Sequence, residues 1–167
     1  DRGDIAYFVD IQATNTLGES SPDFRPHLRL MVGTDINALN SLTQTDPAEW
    51  QEKAGIAADQ LRYMMGFGVP PNVVNLWGLA EETAATEMMT ALEARGFESA
   101  GASGVIGNGE PMRIDPQQRD PSDPWRTMIG AAQFAAAKGN SVVQAQTPQE
   151  ALLVSADQPS LGETPIF

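Results

Sequence analysis

Leu61-Arg62-Tyr63-Met64-Met65-Gly66-Phe67-Gly68-Val69-Pro70-Pro71-Asn72-Val73-Val74-Asn75-Leu76-Trp77-Gly78-Leu79 is the stretch on which the fold turns. Residues 61–67 alternate along a run of apolar and aromatic side chains and predict a strand. Gly68, Pro70, Pro71 and Asn72 break it, since proline has no N–H for a ladder and glycine and asparagine suit a turn. Residues 73–79 return as a second strand. Residues 81–95 follow as a helix, with Glu81 and Glu82 in its first turn, Arg95 in its last and Gly96 as the stop. Ala84, Ala85, Met88, Ala91 and Leu92 make its apolar face. Tyr63, Met65 and Phe67 share one face of the hairpin, which is expected to meet Met88 and Leu92. A hairpin feeding a helix predicts an α+β core.

Toward the N-terminus, residues 4–13 are rich in β-branched and aromatic side chains and predict a first strand. Ile5, Tyr7, Val9 and Ile11 lie on one face and Ala6, Phe8 and Asp10 on the other, a two-sided pattern that suits a central strand. Ser21-Pro22 opens a helical segment carrying Leu28, Met31, Val32, Leu39 and Leu42, broken at Gly33. Asp46-Pro47-Ala48-Glu49 is a stronger start, with an N-cap, a proline and a Glu placed to bond back. That helix is expected to pass through Trp50 and Lys53 and stop at Gly55.

Toward the C-terminus, residues 97–100 predict a strand, 101–109 a glycine-rich turn and 110–114 a further short strand. Asp115-Pro116, Asp120-Pro121 and Asp123-Pro124 mark residues 115–125 as a loop, because a residue before proline avoids the helical region. Residues 131–137 and 141–146 flank Lys138-Gly139-Asn140 as a hairpin. Thr147-Pro148-Gln149-Glu150 begins a helix running through Val154. The first six elements follow the β-α-β-β-α-β order of a ferredoxin-like domain, followed by a β-hairpin and a helix. The expected architecture is an antiparallel sheet with helices on one face, a single α+β domain over residues 1–154 and an extended tail or linker over 155–167.

The 167 residues carry 22 acidic and 10 basic side chains, a net charge of −12. Such a chain repels phosphate backbones and anionic membrane surfaces, so nucleic acid is excluded as a partner. No apolar run approaches the ~20 residues of a membrane span, so no insertion in a membrane by this chain is expected. There is no cysteine, which removes disulfides, thiolate nucleophiles, thiolate zinc sites and iron–sulfur clusters. No signal peptide precedes the first strand, so the protein is either cytoplasmic or a mature or excised piece with any targeting segment or tether outside it, and a chain starting at Asp1 favours the second reading.

His27 is the only histidine, so no His-based triad or metal site can be assembled. Glu81/Glu82 and Asp120/Asp123 are carboxylate pairs, but helix-start and turn roles already account for them. Asp115, Asp120 and Asp123 offer oxygens to Ca²⁺ without the spacing of an EF-hand, and a rigid loop is the simpler reading. Gly101, Gly104, Gly107 and Gly109 are followed by Glu110-Pro111, which fits a turn better than a phosphate cradle. Trp50, Trp77 and Trp125, with Tyr63 and Phe67, read as core and loop anchors before they read as a binding platform. No cofactor and no metal are expected.

Val69-Pro70-Pro71-Asn72, Ala91-Leu92-Glu93-Ala94-Arg95-Gly96-Phe97 and Arg119-Asp120-Pro121-Ser122-Asp123-Pro124-Trp125 resemble segments of uncharacterised bacterial lipoproteins and exported proteins. The resemblance spans residues 4–154. It implies an extracytoplasmic address, in the periplasm or at the cell surface, and no particular chemistry. The functional expectation is a non-catalytic extracytoplasmic protein-interaction or assembly-subunit module, with Pro70, Pro71, Pro124, Trp125, Ile166 and Phe167 as its contact surface. A carboxylate-based hydrolase is the alternative from another class; a small-ligand domain with an apolar pocket near Trp77 or Trp125 is the third.

Overall fold

A computed structural model describes residues 5–19, 37–42, 44–69, 72–101, 104–126 and 129–155. The strands are β1 (Ile5–Asp10), β2 (Leu61–Val69), β3 (Asn72–Leu79), β4 (Glu98–Ser99), β5 (Val105–Gly107), β6 (Phe134–Lys138) and β7 (Ser141–Ala145). They form one seven-stranded antiparallel sheet in the order β1-β2-β3-β7-β6-β5-β4. The helices are α1 (Ile11–Glu19), α2 (Asn37–Ser41), α3 (Pro47–Ala54), α4 (Glu82–Ala94) and α5 (Pro148–Ser155). The chain is α+β. Among the described residues, no helix is long and apolar enough to cross a membrane.

Several elements stand where local chemistry puts them. Asp46 Oδ1 accepts from Ala48 N at 2.9 Å and Glu49 N at 3.0 Å to start α3, and Gly55 ends it at φ +84°. Thr147 Oγ1 accepts from Glu150 N at 3.2 Å and donates to the Glu150 carboxylate at 2.9 Å to start α5. The β2–β3 hairpin lies where it is expected, whereas β6 begins at Phe134 rather than at residue 131 and runs through Lys138, which pairs with Ser141 across a Gly139-Asn140 turn.

The strand order differs from the ferredoxin-like expectation. There the first strand is separated from the second by the third, whereas here β1 pairs directly with β2, and β3 pairs with β7. Two meanders, β1-β2-β3 and β4-β5-β6-β7, are joined side by side at β3 and β7, with α4 carrying the chain from the centre to the far edge. β1 is an edge strand, not a central one, and it ends at Asp10. The carboxylate of Asp10 accepts from Ala13 N at 2.7 Å and turns residues 11–19 into α1, so the predicted strand stops three residues early. The strand expected at residues 110–114 is a turn with one bridge, Ile114 to Ala131, and β5 lies instead inside the glycine-rich stretch. Of the helical segment expected from Ser21 through Leu42, the part after Gly33 holds α2, while residues 21–36 and the tail after residue 155 lie outside the described residues.

Helices cover both faces of the sheet, not one. The first face carries Met64, Trp77, Leu79, Ala135 and Val142 against Trp50 of α3 and Ala84, Ala85, Met88 and Leu92 of α4. The second carries Val74, Val105, Phe134, Ala136, Val143 and Ala145 against Ala151 of α5. Period-2 alternation assigns Met64 to the α4 side, which puts Tyr63, Met65 and Phe67 on the opposite face from the one expected. Both faces of the hairpin are apolar, so its pattern permits either orientation. On the second face aromatic rings lie over facing glycines. A Cβ on Gly78 would meet the Tyr63 ring at 2.1 Å, and one on Gly107 the Phe134 ring at 2.4 Å, and both are directly opposed cross-strand pairs.

Candidate functional site

The Asp-Pro loop between Asp115 and Trp125 is held by its own carboxylates. Asp115 Oδ1 accepts from Gln117 N at 3.0 Å, Asp120 Oδ1 from Ser122 N at 3.0 Å and Asp123 Oδ1 from Trp125 N at 2.8 Å. Each is an Asx turn in which the side chain binds an N–H two residues on, and each intervening proline removes a donor and presets φ. Three such turns in succession explain why Asp and Pro recur together.

Ion pairs then fasten the loop to the helices. Lys53 Nζ of α3 contacts the Glu49 carboxylate at 2.8 Å and Asp120 Oδ2 at 3.0 Å, and donates to Ser122 Oγ. Arg95, after α4, donates one nitrogen to the Asp123 carboxylate and another to the carbonyl of Lys53. Burial alone would pull the Lys53 pKa down, but the hydrogen bonds and charges of Glu49 and Asp120 outweigh it and hold the ammonium above its ordinary range. Burial likewise pushes Asp120 up, and the hydrogen bonds from Ser122 and Lys53 reverse that and leave it lowered. Glu49 is lowered by its hydrogen bond to Lys53, then by the neighbouring Thr45 hydroxyl.

Ser122 beside Lys53 has the outline of a Ser–Lys nucleophile pair, which the sequence reading missed because the two lie far apart in the chain. Such a pair needs a neutral amine to take the serine proton. Here the ammonium is stabilised by two carboxylates, and Ser122 Oγ donates to Asp120 Oδ1 at 2.7 Å. The cluster is a clamp on the loop. The hydrolase reading required a raised carboxyl among Asp115, Asp120 and Asp123. Asp120 is shifted the other way, and Asp123 is ion-paired to Arg95.

What the clamp secures is a stack of three indoles. Trp50 and Trp77 lie 6.2 Å apart, and Trp77 and Trp125 lie 5.3 Å apart and nearly parallel, at 3°. All three are fully buried, and each indole N–H is used. Trp50 donates to Ser41 Oγ at 2.9 Å, Trp77 to Gln144 Oε1 at 3.0 Å and Trp125 to the Ala54 carbonyl at 3.1 Å. Gln144 also donates to the Pro124 carbonyl at 2.8 Å, and Asn108 donates to the Trp125 carbonyl at 3.1 Å. The tryptophans are core anchors.

The expected contact residues separate accordingly. Trp125 is 0% exposed and Pro124 is buried, so neither offers its side chain to a partner. Pro70, Pro71, Ile166 and Phe167 lie outside the described residues, as does His27. Glu81 and Glu82 are exposed at the start of α4. Gly101 and Gly104, between β4 and β5, have positive φ, and a Cβ on either would meet nothing within 4 Å. Among the described residues no three His, Asp or Glu side chains gather to hold a metal ion.

The surface that does stand out is the second face of β1-β2-β3. The cross-strand row Phe8-Met65-Leu76-Val143-Ala136-Val105 runs apolar across the sheet. α5 packs over its β7-β6-β5 half, where Val143, Ala136 and Val105 are buried. Over the β1-β2-β3 half Phe8 is 62% exposed, and Met65, Phe67 and Leu76 are only half-buried. Phe8 stacks on Tyr63 at 5.5 Å. The sequence showed these side chains but not that one helix would cover half the row.

No family model, curated protein or solved structure matches this chain.

Proposed function

We propose that the chain is a protein-contact module that uses the half-open apolar face of β1-β2-β3, and that its role is assembly rather than catalysis. The carrying observation is the continuous apolar row that α5 covers on one side only, leaving Phe8 62% exposed on the other. A contiguous open apolar face on a sheet is characteristic of an interaction surface, whereas scattered apolar side chains are not. Support also comes from the polar clusters that chemistry would draw on. Lys53, Asp120, Asp123 and Arg95 are engaged in holding the loop, and the three indoles are engaged in the core. The extracytoplasmic address implied by the resemblance belongs to the same proposal.

The test is the mass of the particle that contains the chain in its native source, with a photo-crosslinking residue in place of the exposed Ala6, two residues from Phe8 on the same strand face. The expected result is a particle well above the mass of the single polypeptide that carries these residues, a discrete crosslinked protein, and loss of both with Phe8→Glu. Phe8 is an exposed edge residue, so that variant lowers stability by no more than about 1 kcal/mol. A particle no heavier than the single polypeptide that carries these residues, without adduct, overturns the reading.

A further inference from the structure

On the second face at the opposite edge of the sheet, β4, the β5–β6 floor and the start of α5 enclose a cleft of about 720 Å³. That volume is in the range of small-molecule sites, about 300 to 1,000 Å³. Its apolar part is made by the buried Phe134 and Ala132, and charges of both signs line the rest: Glu98, Glu110 and Asp115 with Arg113 and Arg126. Two of the chain's 10 basic residues line this one cleft.

The rim is strained. Arg113 N closes a turn on the Glu110 carbonyl at 3.2 Å, and Met112 inside it has φ +60°, the left-handed region that a side chain disfavours. Strain of this kind persists where the surrounding structure over-determines it, and it clusters at ligand clamps. The turn sets Arg113 beside Glu110 at 3.2 Å, an exposed pair that a ligand can open at little cost. The floor is fixed by Asn108, which accepts from Gln133 N at 2.8 Å while donating to the Trp125 carbonyl.

A ligand of one sign would meet its own charge among the side chains that line the cleft, whereas a ligand carrying both signs finds a partner for each. We propose that this cleft binds a small zwitterion of the amino-acid or dipeptide class, its carboxylate toward the arginines and its ammonium toward Glu98 or Asp115. The apolar part takes the side chain. This site is separate from the β1-β2-β3 face and stands or falls independently of it.

The probe is L-alanyl-L-alanine, titrated into the ¹⁵N-labelled chain and followed by amide chemical shifts. The expected result is saturable movement of Gly107, Asn108 and Gly109 with a Kd in the millimolar range or tighter. N-acetylated and C-amidated forms of the same dipeptide each bind about 10-fold more weakly or worse. Glu98→Gln, at an exposed position on a two-residue edge strand, weakens the dipeptide while leaving the spectrum folded. Arg126→Gln serves as the second variant. Absence of saturable shifts at about 20 mM, equal binding of the capped forms, or stronger binding of inorganic phosphate than of the dipeptide would each overturn the proposal.

Discussion

Asp123 joins the loop to the core, and its removal gives the sharpest test of the clamp. Its side chain is 5% exposed, accepts the Trp125 N–H at 2.8 Å and pairs with Arg95. Asp123→Ala leaves the Trp125 N–H without its acceptor in a buried place, a loss of about 1–3 kcal/mol. It also deletes a charge-assisted bond worth about 1.5–3 kcal/mol, partly offset because Arg95 keeps the Lys53 carbonyl and some water. The sum is a destabilisation of about 3 kcal/mol. With a urea m-value near 2 kcal/mol/M the midpoint falls by about 1.5 M. Asp123→Asn keeps an acceptor for Trp125 and loses the charge, so it is expected to cost about half as much. Urea unfolding followed by tryptophan fluorescence measures both. Near-UV circular dichroism reports the Trp77–Trp125 stack, which Asp123→Ala should weaken before the fold is lost. An Asp123→Ala chain within about 0.5 kcal/mol of wild type, or one indistinguishable from Asp123→Asn, would refute the assignment of Asp123 as the loop's anchor.

Gly107→Ala puts a Cβ 2.4 Å from the Phe134 ring, so a loss of about 2 kcal/mol or more is expected in the same assay. Gly104→Ala, at φ +78° with nothing within 4 Å, should lose only about 1 kcal/mol from backbone strain; equal losses would argue against the ring-over-glycine pair. The Lys53–Asp120 contact should follow pH with a defined sign. Asp120 is lowered from 3.8, so its contribution is complete above that value and disappears as pH falls through the lower folded value. Lys53 is raised from 10.5, so its contribution is complete below that value and is lost as pH rises through the higher one. Lys53→Met is therefore expected to cost about 1 kcal/mol between about pH 5 and pH 9 and progressively less in stronger acid or base. A gap that is widest at low pH would contradict this.

Local chemistry alone was enough for the punctuation of this chain. The caps at Asp46 and Thr147, the stop at Gly55, both long hairpins and the Asp-Pro turns are interactions among residues two to four apart, and their signals lie in the sequence. The same holds for the burial of three tryptophans in a chain with few aromatics, and for the α+β class that a hairpin followed by a helix implies. The rest depended on long-range choices between locally equivalent patterns. Tyr63, Met65 and Phe67 alternate with Met64 on a hairpin apolar on both sides, and only the docking of α4 on Met64 and Trp77 chose between them. β1 has the composition of a central strand, yet pairing with β2 alone leaves it at the edge with Phe8 in the open. Asp10 ended that strand by capping a helix where β-branched composition argued for continuing it. The clamp joins Lys53 to Asp120 and Arg95 to Asp123 across long separations, and the cleft gathers β4, β5 and the Glu110–Arg113 turn. Neither juxtaposition has a sequence signature, because side chains meet there only after α4 carries the chain across the sheet and β7 returns to β3.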